Sequence, residues 1–177
     1  MGRIFQSPPI DAELLRENIE LHRRGYFGGT SMRPYLPEIE ELCRRYRARS
    51  LLDYGSGKGT LWADPNLSPG LRHIDVTLYD PAVEAFEALP AAAFDGVICM
   101  DVLEHIREAH LPGTLGAIIS RAQRFVLLAI CIRAGTKRLP FANEDVHVTV
   151  RPRQWWEALI AAHCTREGVD TQARYSE

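Results

Sequence analysis

The chain has 177 residues, of which 46% are hydrophobic and 25% are charged, and its formal net charge is −2 with an isoelectric point of about 6.3. That length predicts one domain with its own core, and the composition excludes an intrinsically disordered chain. The near-neutral charge gives no support to strong electrostatic binding of nucleic acid, which favours a basic domain.

Two local groups of arginines interrupt this balanced charge. They are the pair Arg23-Arg24 and the set Arg44, Arg45, Arg47 and Arg49. Such runs are usually the solvated face of a helix, and a binding site for a polyanion is the rival interpretation.

The cysteines, the N-terminal segment and the apolar runs indicate the cellular setting. The four cysteines are far apart and form no Cys-x-x-Cys pair, so the sequence predicts no metal site. Nothing in Met1–Asp11 resembles a signal peptide, and no run reaches the roughly 20 apolar residues needed to cross a bilayer. We therefore predict a reduced, cytoplasmic protein that makes no membrane contact.

Two helices are predicted within residues 1–49, which we treat as an N-terminal segment that packs on the core. Asp11 can cap the first helix, which extends to about Arg24. The second helix runs from Pro34 to about Arg47 on an apolar stripe of helical period. The connector Tyr26–Ser31 contains two glycines and serves either as a lid or as a plain linker.

From residue 50 to 177 the pattern alternates between strand and helix signals. Strands are predicted at Leu51–Tyr54, Ile74–Tyr79, Gly96–Met100 and Phe125–Ile132, and an edge strand at Thr171–Tyr175. Helices are predicted at Ala82–Leu89, Leu111–Ala122 and Arg153–Ala162. This alternation predicts an α/β core with an open, mostly parallel sheet, covered on one side by the two N-terminal helices.

The most informative stretch follows the first predicted strand and reads Asp53-Tyr-Gly-Ser-Gly-Lys-Gly. Glycines at alternate positions leave backbone N–H groups open to a ligand. Three predicted strands end in an aspartate, at Asp53, Asp80 and Asp101. Because ligands of open α/β sheets bind at the carboxyl ends of the strands, these carboxylates are expected to converge on one ligand.

Two phosphate-binding motifs do not fit this loop. A P-loop requires a glycine where Leu52 stands and a hydroxyl residue where Gly59 stands. The dinucleotide fingerprint requires its third glycine at Thr60. An acid before the first glycine also opposes a pyrophosphate and favours a cationic ligand. A nicotinamide cofactor and a nonfunctional glycine turn remain the rival interpretations.

The loop resembles the first motif of class I S-adenosylmethionine-dependent methyltransferases, acidic-x-Gly-x-Gly-x-Gly. The resemblance extends over about residues 50–133, since Phe94 to His105 is similar to a later strand and turn of that family. It implies a Rossmann-like fold, S-adenosylmethionine as cofactor and S-adenosylhomocysteine as product, with Asp80 on the ribose hydroxyls. The implied cofactor-binding residues are Asp53, Tyr54, Gly55, Ser56, Gly57, Gly59, Asp80, Pro81, Met100, Asp101, Val102 and Leu103.

The chain departs from the family pattern at the sheet edges. Only 14 residues separate Asp80 from Asp95, which leaves room for one short helix. The usual third strand is therefore expected to be missing, and another part of the chain must complete the adenine pocket. Pro65 and Pro69 interrupt the helix after the glycine loop. The usual final antiparallel strand pair is expected to be partial at most.

Two histidines are the candidates for catalysis. His105 follows the third predicted strand, and His147 lies in a polar segment after the most apolar strand, where family members often form the substrate mouth. The alternative is that both have a structural role only, in packing or in hydrogen bonds within their loops. Trp155 and Trp156 open the last predicted helix, where one is expected in the core and stacking on a planar substrate is the rival role.

The sequence thus predicts an S-adenosylmethionine-dependent methyltransferase that acts on a small-molecule acceptor. A noncatalytic S-adenosylmethionine-binding scaffold or sensor is the alternative that the reduced fold motivates. A nucleic-acid methyltransferase is the third option. It lacks support because Asp101-Val-Leu-Glu stands where many amino-directed DNA enzymes carry an Asn/Asp-Pro-Pro-Tyr motif.

Overall fold

The computed structural model describes residues 8–177, so the first seven residues of the predicted segment 1–49 lie outside the described part. Its centre is a five-stranded sheet in which every pair of neighbours is parallel. The strands are β1 (Ser50–Tyr54), β2 (Asp75–Tyr79), β3 (Phe94–Met100), β4 (Ala122–Cys131) and β5 (Asp170–Ser176). Their spatial order is β2-β1-β3-β4-β5. The predicted α/β class and Rossmann-like sheet are confirmed.

Among residues 8–177, four α-helices accompany the sheet: α1 (Ala12–Arg23), α2 (Leu36–Tyr46), α3 (Leu111–Arg121) and α4 (Arg153–His163). The ends of α1 and α2 follow from local chemistry. Asp11 caps α1, because its Oδ1 accepts the Leu14 N–H at 3.0 Å. Arg47 ends α2 in the left-handed conformation at φ 49°.

The two faces of the sheet are covered by different elements. On one face, α3 and α4 pack against side chains such as Val97 and Val126, and Trp156 of α4 is fully buried there. On the other face, α2 packs against Ile98 and Leu127, together with the turns of residues 57–74. Both faces of β3 and β4 are thereby dry, as their apolar sequences predict.

Helix α1 covers neither face of the sheet, which differs from the expectation that both N-terminal helices cover one side. Its Leu14 and Leu21 pack against Leu139 and Val146, in the long loop that follows β4. The buried carboxylate of Glu17 accepts the N–H groups of residues 141 and 142 at 2.8 and 2.7 Å. These contacts hold α1 at the carboxyl end of the sheet.

Removing the Glu17 carboxylate should loosen this attachment. We expect Glu17→Ala to lower the free energy of unfolding by about 1–2 kcal/mol, because two loop N–H groups lose a charged acceptor. Glu20→Ala on the same helix is the matched control, since Glu20 pairs with Arg24 near the surface and such pairs contribute about 0–1 kcal/mol. Urea unfolding measures both, and equal losses would contradict the attachment.

The edge strand β2 has no outer neighbour among the described residues, as predicted for the missing third strand. The helix predicted at Ala82–Leu89 is wrong, since that segment holds only a 3₁₀ turn at Glu84–Phe86. The backbone leaves the helical region at Val83, which is extended with φ at −119° and ψ at 108°. The predicted last strand is present as β5 and runs parallel to β4.

Within residues 8–177, every helix is too short or too polar to cross a bilayer.

Candidate cofactor site and active site

A cavity of about 350 Å³ opens at the carboxyl ends of β1, β2 and β3. Of the predicted cofactor-binding residues, all but Gly59 and Leu103 line it. Gly59 lies behind the wall, because a Cβ there would come within 2.4 Å of the Leu78 side chain. Leu103 is fully buried in the core beneath α3 and α4. The parallel sheet therefore brings together the three strand-end aspartates, as the strand assignment predicts.

The connector between α1 and α2 forms part of the cavity wall and packs directly on the glycine loop. The N–H groups of Lys58 and Thr60 donate to the carbonyls of Phe27 and Gly28 at 3.2 and 3.1 Å. Gly57 takes a φ of 55°, and a Cβ there would lie 2.4 Å from the Phe27 carbonyl oxygen. The glycine therefore serves this backbone-to-backbone contact as well as ligand access.

Asp53, at the end of β1, is buried at the base of the cavity. Its Oδ2 accepts the Trp62 indole N–H at 2.7 Å. The pKa of the Asp53 carboxyl is raised to about 6, chiefly by burial; the Trp62 hydrogen bond lowers it and the nearby Asp80 charge raises it. A cationic ligand in the cavity would stabilise the ionised form of this buried carboxylate.

The raised pKa of Asp53 predicts a pH dependence of stability. Because the folded protein holds this proton more tightly than the unfolded chain, the contribution is complete below about pH 4 and is lost as the pH rises through about 6. We expect the free energy of unfolding of Asp53→Asn to lack this decline. Urea unfolding of both proteins between pH 4 and 7 measures the difference, and parallel curves would contradict the assignment.

Asp80, at the end of β2, joins the glycine loop to the next turn. Its Oδ2 accepts the Gly57 N–H at 2.9 Å, and its Oδ1 accepts the Ala82 N–H at the same distance. The ring of His22, from α1, places Nε2 3.9 Å from Oδ1. Burial lowers the pKa of His22, although the Asp80 charge raises it. The Asp80 carboxylate is therefore fixed in position, with lone pairs left for a ligand.

Asp101 ends β3 in a strained conformation, with φ at 54°. Its N–H donates to the Ala129 carbonyl at 2.9 Å, which anchors the turn to β4. Burial raises the pKa of the Asp101 carboxyl, and its buried Oδ1 has no hydrogen-bond partner among the described residues.

The two candidate catalytic histidines lie side by side, although only His105 lines the cavity. Their ring centroids are 4.8 Å apart and the rings are nearly perpendicular. Nδ1 of His105 lies 3.0 Å from the Val146 carbonyl oxygen, and Nδ1 of His147 lies 2.8 Å from that of Arg133. His147 thus stands behind His105 as seen from the cavity.

A family model described as a methyltransferase domain matches residues 24–167 of the chain. The match spans most of the sequence, including both the glycine loop and the strand-end aspartates. The chain belongs to this methyltransferase family. The predicted class is thereby confirmed, and the methyl donor of methyltransferases of this kind is S-adenosylmethionine.

The fold is shared with a solved methyltransferase-family structure. An O-methyltransferase family protein from Burkholderia thailandensis superposes with a TM-score of 0.53 at 17% identity. The match covers 82% of this chain and 52% of that protein, so the chain spans about half the length of this structural relative. No curated protein is significantly similar to the chain in sequence.

For methyl transfer, His105 is poorly suited to act as a general base at neutral pH. Burial, followed by the neighbouring His147, lowers the pKa of its ring to about 4, so the ring binds a proton weakly. Trp155 and Trp156 lie outside the cavity wall, and Trp156 is fully buried in the core. The geometry therefore gives no support to stacking of either indole on a substrate.

Sequence reasoning missed the contribution of α1 to the methyltransferase cavity. Leu14, Leu15, Asn18 and His22 line it, as does Lys137 from the loop after β4. The signal available was the pair of glycines in the connector, which allows a close approach to a second glycine-rich loop. The helical period of α1 predicts a helix, but it does not predict which part of the protein that helix packs against.

Proposed function

We propose that the chain transfers the methyl group of S-adenosylmethionine to a small-molecule acceptor in the cytoplasm and releases S-adenosylhomocysteine. The observation that carries the proposal is the cavity in which Asp53, the glycine loop and Asp80 meet at the carboxyl ends of β1 and β2. The four cysteines are free, which fits a reduced compartment.

The cofactor is assigned to the cavity by its chemistry. The ammonium group of its amino-acid part would lie near Asp53, whose buried carboxylate forms no ion pair with any described residue, and near the open backbone of Gly55 and Gly57. The ribose hydroxyls would donate to Asp80, whose two oxygens each accept one backbone N–H and retain a lone pair. When bound, the cofactor supplies an electrophilic methyl group on a sulfonium.

Helix α1 is assigned the role of the missing outer strand. With β2 at the sheet edge, the wall beside Pro81 and Ala82 would otherwise be open. Side chains of α1 line the cavity, and Glu17 ties the helix to the loop after β4. The adenine end of the cofactor would therefore lie between the turn after β2 and α1.

The size of the cavity favours a small acceptor. Ligand sites commonly enclose about 300–1,000 Å³, and the 350 Å³ of this cavity stands at the lower end. The nucleoside cofactor would occupy most of that space, beneath α1 and the connector. An acceptor would reach the methyl group near Asp101 and His105, where we assign His105 to contact it and His147 to position His105. Much of the rate would come from that positioning.

Two measurements on the full chain test the proposal. Calorimetry with S-adenosylhomocysteine should give saturable binding, and adenosine, which lacks the amino-acid part, should bind more weakly. Release of S-adenosylhomocysteine should then follow addition of S-adenosylmethionine and one member of a panel of small acceptors. Binding without turnover on any acceptor would favour the scaffold alternative, and turnover on oligonucleotides alone would favour the nucleic-acid option. A folded protein that binds neither ligand would overturn the proposal.

A further inference from the structure

Behind the cavity wall, three side chains from separate segments converge on one point. Glu104 lies in the turn after β3, Cys131 ends β4, and His147 lies in the following loop. One ligand atom of each lies within 4.8 Å of the others. No two of these residues are closer than 16 positions in the sequence, so spacing could not indicate the cluster.

The Glu104 carboxylate is fully buried, and half of it is unpaired. Its Oε1 accepts the Cys131 N–H at 3.0 Å, whereas Oε2 has no hydrogen-bond partner among the described residues. Oδ1 of Asp101, three residues earlier, is also buried without a hydrogen-bond partner from residues 8–177. Unpaired buried carboxylate oxygens carry a large desolvation cost, which a bound cation would offset.

The two neighbouring histidines are oriented as metal ligands are. A backbone carbonyl can only accept a hydrogen bond, so Nδ1 of His105 and Nδ1 of His147 each donate to theirs. In the neutral ring this leaves Nε2 with a free lone pair. Backbone carbonyls that fix the tautomer in this way are the usual outer partners of ligating imidazoles.

We propose that this cluster binds one divalent transition-metal ion, held by Glu104, Cys131 and His147, with Asp101 and His105 beside them. The mixture of imidazole nitrogen, carboxylate oxygen and thiol fits Zn²⁺ or Fe²⁺ better than Ca²⁺, Mg²⁺ or Mn²⁺, which prefer oxygen ligands. The proposal departs from the sequence-based expectation of no metal site, which rested on the cysteine spacing alone.

The proposed ion would lie beside the wall of the cavity. Asp101 and His105 line the cavity, while Glu104 and His147 lie behind it. An ion among them would be close to the end where the acceptor is assigned. That consequence rests on the proposed function, whereas ion binding itself does not.

The test measures ion binding to the chelator-treated full chain without cofactor or acceptor. Calorimetry with Zn²⁺ should give one ion per chain, bound more tightly than Mn²⁺ or Mg²⁺. Glu104→Gln and His147→Asn should each weaken the affinity at least tenfold. Matched controls are Glu144→Gln in the same loop and His163→Asn on α4, both exposed residues, which should bind as the unaltered chain does.

A second measurement uses the unaltered chain, so it tests the proposal even if a variant fails to fold. The visible spectrum of Co²⁺ added to the unaltered chain should differ from that of Co²⁺ in buffer, and Zn²⁺ should abolish the difference by displacement. A spectrum equal to that in buffer would overturn the proposal. Binding that survives both Glu104→Gln and His147→Asn in folded protein would also overturn it. Either failure leaves the methyl-transfer proposal standing, because no cofactor is present.

Discussion

Gly57→Ala is expected to abolish measurable binding of S-adenosylhomocysteine and to lower the free energy of unfolding by about 3 kcal/mol or more. The left-handed backbone at φ 55° costs about 1–2 kcal/mol for a residue with a Cβ. The new Cβ would also lie 2.4 Å from the Phe27 carbonyl oxygen and 3.0 Å from the Gly29 nitrogen. Both are backbone atoms, so no side-chain rotation relieves the overlap and the connector must move.

The matched control for this prediction is Gly168→Ala. Gly168 also has a positive φ, at 76°, but nothing lies within 4 Å of an added Cβ. That variant is therefore destabilised by backbone strain alone. It should lose about 1–2 kcal/mol of stability and keep its affinity for S-adenosylhomocysteine. Urea unfolding and calorimetry on both variants separate strain from displacement of the connector. Retained binding in Gly57→Ala would show that the connector contact is dispensable for the cavity.

The central sheet could be predicted from the sequence because its signals are local. Apolar runs such as the one before Asp53 mark strands buried on both faces, and parallel strands must place their carboxyl ends at one edge. The convergence of Asp53, Asp80 and Asp101 on one cavity follows from those two rules. The missing outer strand also followed from local evidence, because the span between Asp80 and Asp95 is too short to hold it.

The rest of the site depends on contacts between distant segments, which local patterns do not encode. The attachment of α1 to the loop after β4 joins Glu17 to residues more than 120 positions away. The approach of Glu104 to His147 likewise arises only once β3 and β4 lie side by side. Where the local pattern failed, at Ala82–Leu89, the segment folds back on the end of β2: Val83 is extended at φ −119° and ψ 108°, and the Asp80 N–H donates to the Phe86 carbonyl at 3.0 Å.

The second large effect is expected at Asp80, whose carboxylate serves the loop and, in our assignment, the ribose. Asp80→Ala should weaken S-adenosylhomocysteine binding by about 1–3 kcal/mol, as for loss of charged hydrogen bonds. It should also lower the free energy of unfolding by about 2–3 kcal/mol, because the buried Gly57 N–H and the Ala82 N–H both lose their acceptor. Asp75→Ala is the matched control, since Asp75 is exposed at the opposite end of β2 and should change neither quantity.

A loss of affinity in Asp80→Ala alone does not separate a ribose contact from a displaced glycine loop, so the ligand must be varied as well. A 2′,3′-dideoxy analogue of S-adenosylhomocysteine removes the hydroxyls that Asp80 is assigned to bind. If the contact exists, the unaltered chain should lose affinity on going to the analogue, and Asp80→Ala should lose far less. The difference between the two losses is the coupling energy of the carboxylate with the hydroxyls. Equal losses would place the hydroxyls elsewhere and leave Asp80 with a role in the loop alone.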